Sequence, residues 1–288
     1  MAEKNTILIT GANGQLGKEM QVIATAYPNY HFIFVTKEEL PIDNIEAVDS
    51  FFISNQINYC INCAAYTAVD KAEIEPEQAM LINATAVGNL ARVCKIYDAV
   101  FIHVSTDYVF DGTADTPYKE DHPVSPVNMY GATKLKGEQL ALQNNTGTII
   151  IRTSWVYSSF GNNFVKTMLR LMKDRAQLNV VSDQQGCPTY AADLAGAIMQ
   201  IINSDQAKMY PGIYNYSNTG ITNWSLFAGE IKDLSGSKCI VNPIPSSEFP
   251  TPAKRPSYSV MDTNKIQHTF NISIPFWKDS LKKCFELL

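Results

Sequence analysis

The chain has 288 residues, 45% hydrophobic and 18% charged, with a formal net charge of −5. This is the composition of a globular protein, and the length suits one large α/β domain or a domain with an appended lobe. The negative balance argues against a nucleic-acid-binding surface, no stretch approaches the roughly 18 apolar residues of a membrane span, and Met1 to Asn5 carry no apolar signal segment, so a cytoplasmic protein is expected.

Thr6–Thr10 reads as a buried strand. A glycine-rich turn follows, then a helical pattern to about Tyr27. His31–Val35 is a second strand, Asn44 to Asn55 a helix, Asn58–Asn62 a third strand and Pro76 to about Tyr97 one long helix. Val100–Val104, a helix from Met129 to about Gln143 and a strand at Thr148–Arg152 continue the alternation. This pattern predicts a Rossmann-type, doubly wound parallel sheet with a smaller C-terminal α/β substrate lobe. Helices are expected at Asn163–Arg175 and Ala191–Asn203, and Gly212–Tyr216 is expected to return a strand to the sheet. The cofactor domain is thus predicted at 1–153 with 191–217, and the substrate lobe at 154–190 and 218–288. Five prolines between Pro243 and Pro256 predict a stiff, irregular segment.

Gly11, Gly14 and Gly17 follow the first strand and open the first helix, the context of a dinucleotide-binding loop. The end of the second strand, where a carboxylate would bind the ribose of NAD, holds Thr36 and Lys37. A hydroxyl and a cation suit a 2′-phosphate, which favours NADPH over NADH. Tyr130 and Lys134 are four apart, so they share one helix face, and none of the other thirteen tyrosines has a lysine at that spacing. An ammonium near a phenol would lower its pKa and ready it for proton transfer. Thr106 follows the fourth strand and is placed to hydrogen-bond a substrate carbonyl oxygen or the phenol of Tyr130. Asp107 beside it has two readings, a ligand for a substrate hydroxyl or a cap for the local backbone. His103 reads as a buried, hydrogen-bonded histidine rather than a catalytic base. The six scattered cysteines read as reduced thiols, and the Cys60–Cys63 pair, in an apolar run with no second such pair, as structural.

The glycine loop with Thr106, Tyr130 and Lys134 resembles the extended short-chain dehydrogenase/reductase superfamily. Longer words narrow the resemblance to the dTDP-4-dehydrorhamnose reductase family: Asn62 to Glu73 (NCAAYTAVDKAE), Ser105 to Gly112 (STDYVFDG), Arg152 to Tyr157 (RTSWVY), Asp183 to Thr189 (DQQGCPT) and Arg255-Pro256-Ser257. The resemblance spans nearly the whole chain. It implies NAD(P)H-dependent reduction of the C4 ketone of dTDP-4-dehydro-β-L-rhamnose, the last step in making a sugar donor for surface polysaccharide. By matched position Tyr130 would donate the proton, Lys134 would hold the nicotinamide ribose, and Thr106 would tune Tyr130 and touch the sugar. Asp107 and Trp155 would contact substrate, while Gly14, Gln15, Leu16, Ala64, Ala65 and Thr67 would lie along the cofactor. Trp155, Asn163 and Arg255 would offer the nucleotide an aromatic surface, an amide and a charge.

Two departures from the family pattern stand out. Thr36 and Pro41 replace the usual acidic residues around the second strand's end, leaving the adenosine contacts open. Glu19 matches one ligand of a subunit-bridging magnesium found in some relatives, but Tyr190 to Asp193 (YAAD) lacks the second glutamate, so no metal is expected and homodimerisation stays open. Two competing readings are a non-catalytic subunit resembling the regulatory β subunit of methionine adenosyltransferase, and a nucleotide-sugar epimerase of the same superfamily.

Overall fold

Short apolar runs bounded by glycine and polar residues become inner strands, and the computed structural model describes them within residues 4–204 and 206–288. The first half runs β1 (Asn5–Thr10), α1 (Gln15–Ala24), β2 (Tyr30–Val35), α2 (Ile45–Asn55), β3 (Ile57–Asn62), α3 (Val69–Ala72), α4 (Pro76–Met80), α5 (Ala86–Ile96), β4 (Val100–Thr106), α6 (Met129–Asn144) and β5 (Ile149–Thr153). Then come β6 (Val156–Tyr157), α7 (Phe164–Asp174), β7 (Gln177–Val181), β8 (Gln185–Gly186), β9 (Thr189–Tyr190), α8 (Ala191–Asn203) and β10 (Gly212–Asn215). The chain closes with β11 (Thr222–Asn223), α9 (Trp224–Ser235), β12 (Ile240–Ile244), α10 (Asn264–Phe270) and α11 (Trp277–Phe285).

Six strands form one parallel sheet in the order β10-β5-β4-β3-β1-β2. Side chains along a strand alternate between the two faces. Ile7 and Ile9 of β1 accordingly join a core with α1 and α8, while Leu8 joins the opposite core with α2 and α5. From β1 the chain turns outward to β2, then returns to β3 on the other side. The strand order therefore reverses between β1 and β3, and a parallel sheet opens its ligand crevice at that point. A third core lies beyond the sheet, built from α7, α9, α11 and the short pairs β7–β12 and β6–β9.

Two expectations are corrected. The helix predicted as continuous from Pro76 to Tyr97 contains a π turn at Leu81–Thr85. The extra residue turns Asn83 inward, where it bonds both the N–H and the carbonyl of Tyr66 and donates to Thr133 on α6. The proline-rich stretch is not irregular at its start, because Pro243 lies within β12, paired with Val180 of β7. Proline cannot donate to a ladder, but β12 is an edge strand and needs no donor on its free side.

Candidate active site

The crevice is a cavity of about 910 Å³ across the carboxyl ends of the strands. Its floor begins at the glycine loop, where the three glycines have different causes. A Cβ on Gly11, which sits at φ +67°, would lie 2.7 Å from the Ala64 nitrogen, and one on Gly17 would lie 2.4 Å from the Gly11 oxygen. Both glycines are demanded by the protein's own packing. A Cβ on Gly14 would meet only the Gly11 oxygen, at 3.2 Å, with no other atom within 4 Å. The space before Gly14 is left for something else. It opens onto the start of α1, whose first turn has no side-chain cap and no acidic residue, a polarity that suits a diphosphate.

Gly11, Gly14, Gln15, Leu16, Thr36, Lys37, Ala64, Ala65, Thr67, Thr106, Asp107, Tyr130, Lys134 and Trp155 all line this one cavity. Gly17 lies beneath the loop and outside the cavity wall. At the end of β2 Glu38 lines the cavity and Glu39 accepts from the Thr36 N–H at 2.8 Å. A carboxylate thus stands beside Thr36 and Lys37 even though β2 does not end in one.

Helix α6 presents the central pair. Asn128 caps it, accepting from Gly131 N–H at 2.8 Å, and Glu73 accepts from Met129 N–H at 2.8 Å. Lys134 is buried. Its Nζ donates to the Val104 carbonyl at 2.7 Å and stands 3.4 Å from His103 Nε2. Burial pushes the ammonium down to about 8, against the opposing pull of Glu138 and Cys63. The Tyr130 phenol moves the other way, pushed up to about 12 by burial and then by the Asp107 carboxylate, with the Thr106 hydroxyl opposing. The lowered phenol pKa expected from the Tyr–Lys spacing is therefore corrected. Lys134 is engaged by Val104 and His103, and desolvation of the ring outweighs any cationic neighbour. The phenol remains protonated at neutral pH, the state of a proton donor.

Thr106 joins this pair to Asp107. Its hydroxyl donates to Asp107 Oδ1 at 3.0 Å and accepts from the Tyr108 N–H at 3.3 Å. Asp107 Oδ2 is buried without a partner, and burial pushes the carboxyl up to about 6. A buried acceptor with no hydrogen bond is costly, so Oδ2 has capacity for a further donor, with the Ser259 hydroxyl near enough to oppose the rise but not bonded to it. Across the cavity Trp155 adopts φ +48°, rare for a bulky residue, and its ring stacks on Trp224 at 3.6 Å between centroids.

Asn163 and Arg255 lie outside the cavity wall. Asn163 caps α7 and donates to Gln15 Oε1 at 2.9 Å, so it holds a residue that does line the cavity. Arg255 makes a two-armed pair with Asp70, 2.8 Å on each arm. Glu19 faces inward, accepting from Ser158 at 2.6 Å. Sequence reasoning did not single out Tyr66, Tyr108 or Gln78, which also line the cavity. Tyr66 and Tyr108 each sit inside a word that carried the resemblance, a usable signal; Gln78, on the short helix α4, had none.

The family described as the RmlD substrate binding domain matches residues 5–288. The chain is 40% identical over 285 residues to the dTDP-4-dehydrorhamnose reductase of Aggregatibacter actinomycetemcomitans, covering 96% of this chain and 97% of the relative. Among solved structures it superposes on dTDP-4-dehydrorhamnose reductase from Bacillus anthracis str. Ames in complex with NADP, with TM-score 0.95, 40% identity, and 99% and 100% of the two chains covered. The crystal structure of a dTDP-4-dehydrorhamnose reductase from Clostridium acetobutylicum gives TM-score 0.93 and 43% identity, over 98% of this chain and 99% of that one.

Proposed function

This chain belongs to the dTDP-4-dehydrorhamnose reductase family, and from that premise we propose that it reduces the C4 ketone of dTDP-4-dehydro-β-L-rhamnose to dTDP-β-L-rhamnose, with NADPH or NADH as reductant. The observation that carries the reading is the meeting of Thr106, Tyr130 and Lys134 in one cavity with the open face of Gly14. When bound, the dihydronicotinamide supplies the hydride that forms the new C4–H bond. The backbone donors at the start of α1 would hold the diphosphate, Thr36 and Lys37 the adenosine ribose or its phosphate, and Lys134 the nicotinamide ribose. Tyr130 would give its phenolic proton to the ketone oxygen as the carbonyl π bond breaks, with Thr106 steadying both oxygens. Asp107 Oδ2 would accept from a sugar hydroxyl and the Trp155 ring would wall the pyranose.

We assign the cofactor to 1–153 with 191–217 and the nucleotide sugar to the lobe of 154–190 and 218–288; the separate core of that lobe supports this division, although Ile266, Phe270, Ile272 and Ile274 pack into the core of the main sheet instead. The protein would act in the cytoplasm, where its six unpaired cysteines stay reduced. The product would feed surface polysaccharide synthesis.

The test mixes the protein with NADPH or NADH and enzymatically made dTDP-4-dehydrorhamnose. Reduced-cofactor absorbance falls and dTDP-rhamnose accumulates if the reading is right. No loss with either cofactor overturns it, and turnover without net loss points to an epimerase. Tyr130→Phe lowers turnover by about a hundredfold or more, the scale of a lost general acid, with cofactor affinity kept.

A further inference from the structure

Three adjacent strands carry a buried polar row that the reaction itself does not use. Thr10 ends β1, Asn62 ends β3 and His103 lies in β4, and none is more than 1% exposed. Thr10 pairs in register with Asn62, and Asn62 with His103, so the three side chains leave the sheet in line on one face. Central parallel strands are ordinarily apolar on both faces, which makes a polar row there costly unless every group is partnered. Thr10 Oγ1 lies 2.6 Å from Asn62 Oδ1, Asn62 Nδ2 lies 3.0 Å from His103 Nδ1, and His103 Nε2 lies 3.4 Å from Lys134 Nζ. The imidazole stacks on Phe101, 6.1 Å between centroids. The row therefore ends on the lysine of the active site.

Counting protons along it leaves two consistent arrangements. In the first, Lys134 is a neutral amine. Thr10 donates to Asn62 Oδ1, Asn62 Nδ2 donates to His103 Nδ1, and the ring proton sits on Nε2 and donates to Nζ. In the second, Lys134 is an ammonium and donates to Nε2. The ring proton then sits on Nδ1, the Asn62 amide has turned so that Oδ1 accepts it, and Nδ2 donates to Thr10 Oγ1. The Val104 carbonyl accepts from Nζ in both. An imidazolium would set its Nε2–H against the ammonium of the second arrangement, and beside a neutral Lys134 it would pass that proton to the more basic amine, which returns the second arrangement.

We propose that His103 is a positioning residue for Lys134: a neutral imidazole that moves its ring proton between Nδ1 and Nε2, in step with a turn of the Asn62 amide, so that Lys134 keeps its place whether charged or not. The inference rests on the reading of Lys134 as part of the reductase site. The other titratable groups around Lys134 are Glu138 one turn along α6 and Cys63 after β3, while Tyr130 faces Asp107; Lys134 is the charged group acting on His103. Burial and that lysine hold the imidazole well below its usual range, in keeping with a ring that stays neutral.

Nitrogen-15 spectra of histidine-labelled, ligand-free protein test the row directly. The four histidines are few enough to assign, with His103→Phe identifying the signal. From about pH 5 to about pH 10 the His103 nitrogens should keep a neutral pattern and exchange one tautomer for the other as Lys134 titrates. In Lys134→Met the exchange should vanish. Protonation of His103 near its ordinary value, or a single tautomer over the whole range, overturns the proposal. In turnover, His103→Phe keeps the stack on Phe101 yet should lower kcat about tenfold or more and shift the alkaline limb of the pH profile. The substrate KM should stay within about twofold, and His103→Gln, which restores donor and acceptor, should recover most of kcat. A folded His103→Phe protein with unaltered kcat and pH profile also overturns it. If Tyr130→Phe retains turnover, the reductase reading fails, while the spectra still decide the proton row.

Discussion

At Asp107 a local cost meets the proposed substrate contact in one side chain. Its carboxyl, ordinarily near 3.8, is pushed up to about 6 by burial, with Thr106 and Ser259 only partly offsetting that. A folded-state pKa above the unfolded one means that the folded chain holds the proton more tightly. The stabilisation this group offers is full below about pH 4, is lost as pH rises toward about 6, and is absent above. Asp107→Asn should therefore raise unfolding stability at pH 7, by on the order of 1–3 kcal/mol, and make little difference near pH 3.5. If the proposed contact to a sugar hydroxyl holds, the same change should weaken substrate use and remove an acid limb near pH 6 from kcat/KM, because the carboxylate is the accepting form. Thermal melts and pH–rate profiles of the two proteins check both halves; a gain in stability over the parent no larger at pH 7 than at pH 3.5 removes the burial argument. The side chains at this scale were legible where spacing defines them: Tyr130 and Lys134 share a helix face in any α-helix. Their proton affinities were not, because burial from several distant segments sets them.

Among the elements, the turn from β1 to α1 separates packing from binding. Gly17→Ala drives a Cβ into the Gly11 carbonyl at 2.4 Å, so it should destabilise the fold. Gly14→Ala meets only one atom, at 3.2 Å, and should melt close to the parent while losing most of its cofactor affinity. Melting curves beside cofactor titrations distinguish them, and equal melting temperatures for the two variants would refute the distinction. Helix α6 gives a second case. Glu138, one turn beyond Lys134, is 2% exposed and pairs with Arg152 of β5 at 2.7 Å, while Ser105 of β4 donates to it at 2.5 Å. Breaking such a pair leaves a buried charge alone, so Glu138→Gln should cost about 3–5 kcal/mol in denaturant unfolding. The strands and the glycine turn were readable because hydrophobic period and glycine spacing are local. The π turn at Leu81–Thr85 was not, since it is fixed by Asn83 reaching Tyr66 and Thr133, partners 17 and 50 residues away.

At the scale of the whole molecule, the segment around Arg255 ties distant parts of the site together. Arg255 grips Asp70 of α3, and Ala253 N–H donates to the same carboxylate at 3.1 Å. The Lys254 carbonyl accepts from Asn128, the cap of α6, and Ser257 donates to Gly112 at 2.9 Å, just beyond the turn that carries Asp107. One stretch therefore braces α3, the start of α6 and the loop after β4. In the sequence Arg255 offered only a positive charge near prolines, for which a substrate diphosphate was the natural partner; the partner found, Asp70, is 185 residues away. The two roles predict different mutants. As a brace, Arg255→Ala and Asp70→Asn should raise the substrate KM by similar factors, and the double variant should do no further harm. Cofactor affinity should hold, and global stability should change by less than about 1 kcal/mol, since the pair is partly exposed at 25% and 41%. As a diphosphate ligand, Arg255→Ala alone should be damaging, and Asp70→Asn should free the guanidinium and leave KM unchanged or lower. Substrate KM for the two single variants and the double variant decides between brace and ligand.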